Sequence, residues 1–310
     1  MKVILLILLV LLLTIVFVVS WRLTNVVIYP IVRKAEFTYQ KEIEQGGFVE
    51  EEFNKLKREE ITIKSPFGYD LKGMYFPGKN SKKTVIICHG IKCNLYNSVK
   101  YMKIFMDKGF NGVIYDHRNH GSSGGENTTF GYYEKQDLKA VADWVFERNG
   151  EDSIVGIHGE SMGAGTILQN AAIDDRIAFY VADCPYSSMK GILQLRLKRD
   201  YKLPSFPFIP VASFISKLRV GLFFSQVSPI KDIKRVETPI LFIHGMEDEY
   251  IPKEMSIDMY KNKKIGIKDI YLAPNADHAE SYIKNKKNIK SIYMNFKENK
   301  FIIIDLILMK

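Results

Sequence analysis

The sequence predicts an α/β architecture: a mostly parallel central sheet covered by helices on both faces, preceded by one membrane-spanning helix. Three observations predict it. Short β-branched and aliphatic runs, such as Thr84-Val85-Ile86-Ile87 and Ile154-Val155-Gly156-Ile157, alternate with stretches of helical spacing. That alternation builds parallel strands joined by crossover helices. Polar, glycine-rich loops follow the strand-like runs, and they hold the chain's most reactive side chains. Finally, residues 3–19 are apolar throughout except Thr14.

Taken in order, residues 1–22 read as a transmembrane anchor. A helix needs about 20 apolar residues to cross the hydrocarbon core, and Trp21 and Arg22 suit the interface that follows. A cleaved signal peptide has a shorter apolar region, ~7–15 residues, ending in a small-x-small site. Val18-x-Ser20 matches that site poorly, so an uncleaved, single-pass anchor is expected. Lys2 favours a cytoplasmic amino terminus, whereas Arg22, Arg33 and Lys34 pull the other way; the expectation taken is an extracytoplasmic domain. Residues 23–58 are rich in Glu and Lys, with Phe37, Phe48 and Phe53 scattered among them. They read as a stalk with a solvated charged face, broken into two short helical pieces at Gly46-Gly47.

The catalytic domain is expected over residues 59–300. Residues 60–64 and 70–75 read as a hairpin turning at Pro66-Phe67-Gly68. Further strands fall near 84–88, 112–115, 154–158, 178–182, 239–243 and 269–272. Residues 101–107 and 134–146 are helical by spacing, the second with Leu138, Val141, Ala142 and Val145 on one face. Residues 185–230, an insertion after the sixth strand, break the alternation. They carry Leu193, Leu195, Leu197, Phe214, Leu222, Phe223 and Phe224, and a stretch with Pro204, Pro207 and Pro210 that predicts a rigid, non-helical connector. Residues 281–300 are polar and Lys/Asn-rich, and 301–310 form an apolar tail too short to span a bilayer.

Gly159-Glu160-Ser161-Met162-Gly163 lies directly after the run 154–158. Gly-x-Ser-x-Gly after a strand is the signature of a nucleophile elbow, a tight strand-to-helix turn that lifts the serine Oγ above the sheet. A Cβ at either glycine would crowd such a turn. Serine is a poor nucleophile unless a base takes its proton and an acid holds the base. In chain order those partners follow the serine. Asp248 lies in the loop after the strand 239–243, and His278 in the loop after 269–272. The oxyanion of a tetrahedral intermediate needs backbone N–H donors. Met162, next to the serine, supplies one; Ile91, after Gly90 at the end of strand 84–88, supplies the other.

Blander readings remain for several neighbours. Asp183, at the end of the strand 178–182, is a second candidate acid, and Glu247 and Glu249 flank Asp248. Asp277 more simply shapes the loop of His278. His89, His158 and His244 read as packed or turn residues, and His117 and His120 close a glycine-rich turn.

These motifs, together with Tyr115-Asp116-His117-Arg118-Asn119-His120-Gly121 and His244-Gly245, resemble the α/β-hydrolase superfamily. The pattern is most similar to its membrane-anchored bacterial serine hydrolases, near the serine aminopeptidases and acylglycerol lipase-like enzymes. The resemblance implies the α/β-hydrolase fold, with Ser161 as nucleophile, His278 as general base, Asp248 as acid, and Ile91 and Met162 as oxyanion donors. It also implies that 185–230 form a small cap over the active site. The expected function is cleavage of ester-type, acyl or lipid-like substrates through an acyl-enzyme. Peptidases, thioesterases and acyltransferases use the same triad. A catalytically silent membrane scaffold would keep the fold, but the intact serine, acid and histidine argue against it.

The net charge of +9 comes from scattered lysines and short clusters such as 261–264. No nucleic-acid recognition motif accompanies them, so the expected partners are a small acyl substrate and the membrane. No His-Glu-x-x-His or Cys-x-x-Cys spacing occurs; neither a metal nor a cofactor is expected. Three cysteines, Cys88, Cys93 and Cys184, form no disulfide framework.

Overall fold

The computed structural model describes residues 1–80 and 82–298, so the apolar tail 301–310 lies outside the described residues. The strands are β1 (Glu59–Lys64), β2 (Asp70–Phe76), β3 (Lys83–Cys88), β4 (Asn111–Tyr115), β5 (Ile154–Glu160), β6 (Phe179–Asp183), β7 (Ile240–Gly245) and β8 (Lys268–Ala273). They form one sheet in the order β1-β2-β4-β3-β5-β6-β7-β8. The β1–β2 hairpin is antiparallel, as is its junction with β4. Every other neighbouring pair is parallel.

The helices are α1 (Lys2–Ile28), α2 (Ala35–Glu44), α3 (Glu50–Lys55), α4 (Val99–Met106), α5 (Glu134–Asn149) and α6 (Met162–Asn170). They continue with α7 (Met189–Tyr201), α8 (Phe208–Val220), α9 (Pro229–Asp232), α10 (Glu254–Asn262), α11 (Ser281–Lys284) and α12 (Lys286–Glu298). Alternation within the buried strands explains the three layers. Val85 and Ile87 of β3 face a core built with Val99, Met102 and Phe105 of α4. Ile86 and Cys88 face the opposite core, with Leu138 and Val141 of α5 and Ile167 of α6. The polar stretch after residue 280 also joins the core: Ile289 and Tyr293 of α12 are buried against the α4 side. Ile292 packs against the same core.

Two expectations about the amino-terminal region are corrected. The first helix does not end at residue 22. It runs to Ile28, and Val16, Ser20, Thr24 and Ile28, one turn apart, are buried. Ser20 Oγ donates to the Phe208 carbonyl (3.3 Å), and Thr24 Oγ1, which donates to the Ser20 carbonyl of its own helix (2.8 Å), lies 3.2 Å from the Ala212 carbonyl oxygen, joining α1 to α8. Arg219 of α8 reinforces the join, stacking over Trp21 and Tyr29 and bonding Asn25. Nor is 23–58 a free-standing stalk, although most of its charges are solvated as expected. The chain reverses at Gly46, in the left-handed region at φ +69°, and Phe48 and Phe53 are buried in the α4-side core. Glu42 is buried as well, accepting a hydrogen bond from Asn97 (2.7 Å). Because its apolar contacts come from a turn and two short helices, the segment shows no single helical period.

The insertion 185–230 folds into α7, α8 and α9 with short 3₁₀ turns. Its proline stretch is not wholly non-helical. Pro210 sits in the first turn of α8, where a missing N–H breaks no intrahelical bond.

Asp137 of α5 ties down the β1–β2 turn, accepting from Ser65 Oγ and Tyr69 OH at 2.6 Å each. Burial pushes its carboxyl up to about 6. A raised carboxyl pKa favours the protonated fold, so the stability it contributes is full below pH ~4 and is lost as pH rises through 6. Melting curves should therefore show wild type at a greater advantage over Asp137→Asn at pH 4 than at pH 7. A pH-independent difference would contradict this.

Candidate active site

Ser161 occupies the turn between β5 and α6 with φ 54° and ψ −112°, a backbone that non-glycine residues adopt only under constraint. The surroundings supply that constraint. Ser161 N donates to the Asp183 carbonyl (2.8 Å). A Cβ on Gly159 would lie 2.5 Å from the Gly163 backbone, and one on Gly163 only 2.2 Å from the Cys88 carbonyl oxygen. Both glycines of the pentapeptide are therefore fixed by close approach, as the sequence motif requires.

The structure brings Ser161, His278 and Asp248 together from three loops at one edge of the sheet. Ser161 Oγ lies 3.0 Å from His278 Nε2. His278 Nδ1 lies 2.8 Å from Asp248 Oδ2. The other Asp248 oxygen accepts from the N–H groups of Tyr250 (2.9 Å) and Ile251 (2.8 Å). Burial alone would raise the Asp248 carboxyl, but hydrogen bonds from His244 and His278 more than offset it and hold it well below the usual carboxylate range. Asp277 Oδ1 accepts from His278 N (2.7 Å) and Glu249 N (3.2 Å), so it shapes the loop.

His244 goes beyond its sequence reading as a packed residue. Its Nε2 is 3.1 Å from Asp248 Oδ2 and 2.7 Å from the Ile251 carbonyl, while Nδ1 meets Ser256 Oγ at 2.7 Å. The sequence signal was its place one strand-end before Asp248, on the same loop.

Met162 opens α6 directly after the serine, and Ile91 shares a cleft wall with Ser161. The backbone at Gly90 comes close: a Cβ there would sit 3.5 Å from Ser161 Cβ. Three buried histidines brace that loop. His89 Nδ1–H donates to Gly90 O (2.8 Å), His89 Nε2 accepts from His117 N (3.0 Å), and His120 Nε2 accepts from Lys92 N (3.1 Å). Burial pushes all three histidines downward, which keeps them neutral and able to accept.

A buried ionic network underlies the elbow. Lys100 Nζ lies 2.8 Å from Glu160 and 3.5 Å from Glu42. Tyr101 OH donates to Glu160 (2.6 Å) and lies 3.0 Å from Asp183 Oδ2. Burial and the neighbouring Glu160 charge push the Asp183 carboxyl up to about 6. Asp183, the second candidate acid, is thus engaged with Tyr101.

Ser161 and His278 open onto a cleft of about 660 Å³, within the usual range for small-molecule sites. Part of its wall is apolar, from Leu23, Val27, Leu193, Ile209 and Phe224; another part is polar, from Thr38, Glu42, Asn97 and Lys100. Cap residues therefore shape the cleft, whereas Phe206, Phe214 and Leu218 are exposed. Cys184, Asp248 and His278 offer ligand atoms within 4.8 Å of one another. Burial pushes the Cys184 thiol well up, and Asp248 and His278 are committed to each other.

Residues 83–218 match a family model described as the alpha/beta hydrolase fold. The chain is 42% identical over 262 residues to the uncharacterized protein YqkD of Bacillus subtilis (strain 168), covering 84% of this chain and 86% of that one. The Pyrococcus furiosus esterase Pf2001 superposes with a TM-score of 0.65 at 23% identity, covering 81% of this chain and 94% of that one. Est1E from Butyrivibrio proteoclasticus, solved with ferulic acid bound, superposes with a TM-score of 0.60 at 19% identity, covering 76% and 97%.

Proposed function

The chain belongs to the α/β-hydrolase superfamily, and we propose that it is a membrane-anchored serine hydrolase that cleaves ester-type acyl substrates. The observation that carries this reading is the chain Ser161 Oγ–His278 Nε2, His278 Nδ1–Asp248 Oδ2, seated on a constrained elbow and opening onto a partly apolar cleft.

Ser161 Oγ attacks the ester carbonyl carbon while His278 Nε2 takes its proton. Asp248 holds the imidazole tautomer that presents an unprotonated Nε2 and stabilises the imidazolium that forms. The N–H groups of Ile91 and Met162 receive the oxyanion. Collapse breaks the ester C–O bond, and His278 returns the proton to the departing alcohol. Water, deprotonated by the same histidine, then cleaves the acyl-enzyme and regenerates Ser161. The apolar wall accepts the acyl group, and α1 holds the enzyme at the bilayer where such groups reside.

The full-length chain in detergent should be labelled by a fluorophosphonate probe and should hydrolyse p-nitrophenyl esters. Ser161→Ala and His278→Ala should lose both, with melting points close to wild type. Equal labelling of Ser161→Ala and wild type would sink the assignment.

A further inference from the structure

We infer that the anchor helix is itself part of the substrate site: the last turns of α1 wall the acyl side of the cleft, so that a chain reaches Ser161 from the bilayer along that helix. The inference rests on the reading above of a membrane-anchored acyl hydrolase.

A helix that only tethers a domain needs to be apolar and long enough. The last turns of α1 carry more. Two adjacent faces do different things. Val16, Ser20, Thr24 and Ile28 form the docked face. Leu23, Val26 and Val27, spaced i, i+3 and i+4, form the second face and line the same cleft as Ser161, together with Leu193, Ile209 and Phe224 of the cap. The hydroxyl of Ser20, which donates to the Phe208 carbonyl, and that of Thr24, 3.2 Å from the Ala212 carbonyl oxygen, set the rotation of α1 about its axis against α8. A rotation of one residue, about 100° for an α-helix, would carry Leu23 and Val27 out of the cleft wall.

The level of the cleft relative to the membrane follows from helix rise. Residues 2–19 extend about 27 Å, close to the ~30 Å hydrocarbon core. Residues 23–27 then begin within roughly 6–12 Å of its edge. The cleft also opens on this side: Val26 lines it and is nevertheless 53% exposed. Arg33 and Lys41 stand among the lining residues, with Lys284 paired to Glu280 beside them, so cations are available to anionic headgroups on this side. An acyl chain leaving the bilayer beside α1 would meet Val26, Val27 and Leu23 of the anchor and Ile209 and Phe224 of the cap, which line the same cleft as the serine. The same geometry makes residues 1–30 more than a removable tether, since their deletion strips one wall from the cleft.

The test uses the full-length chain in phospholipid nanodiscs. It compares kcat/KM for p-nitrophenyl dodecanoate and p-nitrophenyl acetate. Val27→Trp and Leu23→Trp, which fill the acyl side, should each lower the dodecanoate-to-acetate ratio at least tenfold. Val10→Trp, on the exposed half of α1, should leave the ratio within twofold. Wild-type ratios in both Val27→Trp and Leu23→Trp, with Ser161 still labelled by fluorophosphonate, would overturn the role of α1 and leave the hydrolase reading standing. A wild type with neither label nor turnover would overturn both.

Discussion

Asp248→Asn should lower kcat for ester cleavage by roughly 10⁴-fold, the loss seen when a triad acid becomes an amide. The reason is tautomeric. Asp248 Oδ2 accepts from His278 Nδ1–H at 2.8 Å, leaving Nε2 unprotonated and 3.0 Å from Ser161 Oγ. An amide nitrogen in place of that oxygen would donate to Nδ1 and move the ring proton to Nε2, where it blocks removal of the serine proton. Asp183→Asn provides the contrast. That carboxyl lies 3.0 Å from Tyr101 OH within the ionic network, so its replacement should change kcat by less than about tenfold, as for a residue outside the proton chain. The comparison needs single-turnover kinetics at matched folding. A larger loss in Asp183→Asn than in Asp248→Asn would reverse the assignment of the acid.

His244 adds a second readout. With its ring 3.1 Å from Asp248 and anchored on Ser256 and the Ile251 carbonyl, it is a positioning residue for the acid. His244→Gln should reduce kcat while leaving KM for a short ester near wild type. A change confined to KM or to the melting point would reduce His244 to packing.

Much of this site was legible in the sequence because its pieces are local. Gly159, Ser161 and Gly163 sit within five residues and are fixed by close backbone approach, so the motif and the geometry express one constraint. Asp248 and His278 each follow an apolar strand run, and strand ends on one edge of a parallel sheet converge without further information. What was illegible is long-range. Ser20 registered only as a poor cleavage-site match and Thr24 fell in the segment read as a stalk, because the carbonyls they approach, those of Phe208 and Ala212, lie 188 residues away. Glu42 looked like one more solvated charge among many, since its partners Asn97 and Lys100 belong to another element. The periodicity of α2 alone cannot distinguish a buried glutamate from an exposed one.

That buried glutamate leads to the largest stability effect expected for a single substitution. Lys100 is paired with Glu160 and Glu42, and all three side chains are nearly inaccessible to water. Burial alone would lower the Lys100 ammonium, but the two carboxylates more than offset this and raise it. Lys100→Met keeps most of the volume and leaves two carboxylates without their cation. Removing one partner from a buried ionic group costs about 3–5 kcal/mol, which for a domain of this size is a fall of roughly 10 °C in Tm. Glu42→Gln should cost much less, because Lys100 retains Glu160 and the amide can still accept from Asn97. The two variants also separate stability from chemistry. Glu160 immediately precedes Ser161, so Lys100→Met should slow fluorophosphonate labelling even well below its melting point, as the elbow loses its brace. Glu42→Gln, one side chain further away, should label at nearly the wild-type rate. A Lys100→Met variant melting within 2 °C of wild type would show that water reaches the carboxylates, and that α2 is not held to the elbow by this ionic network.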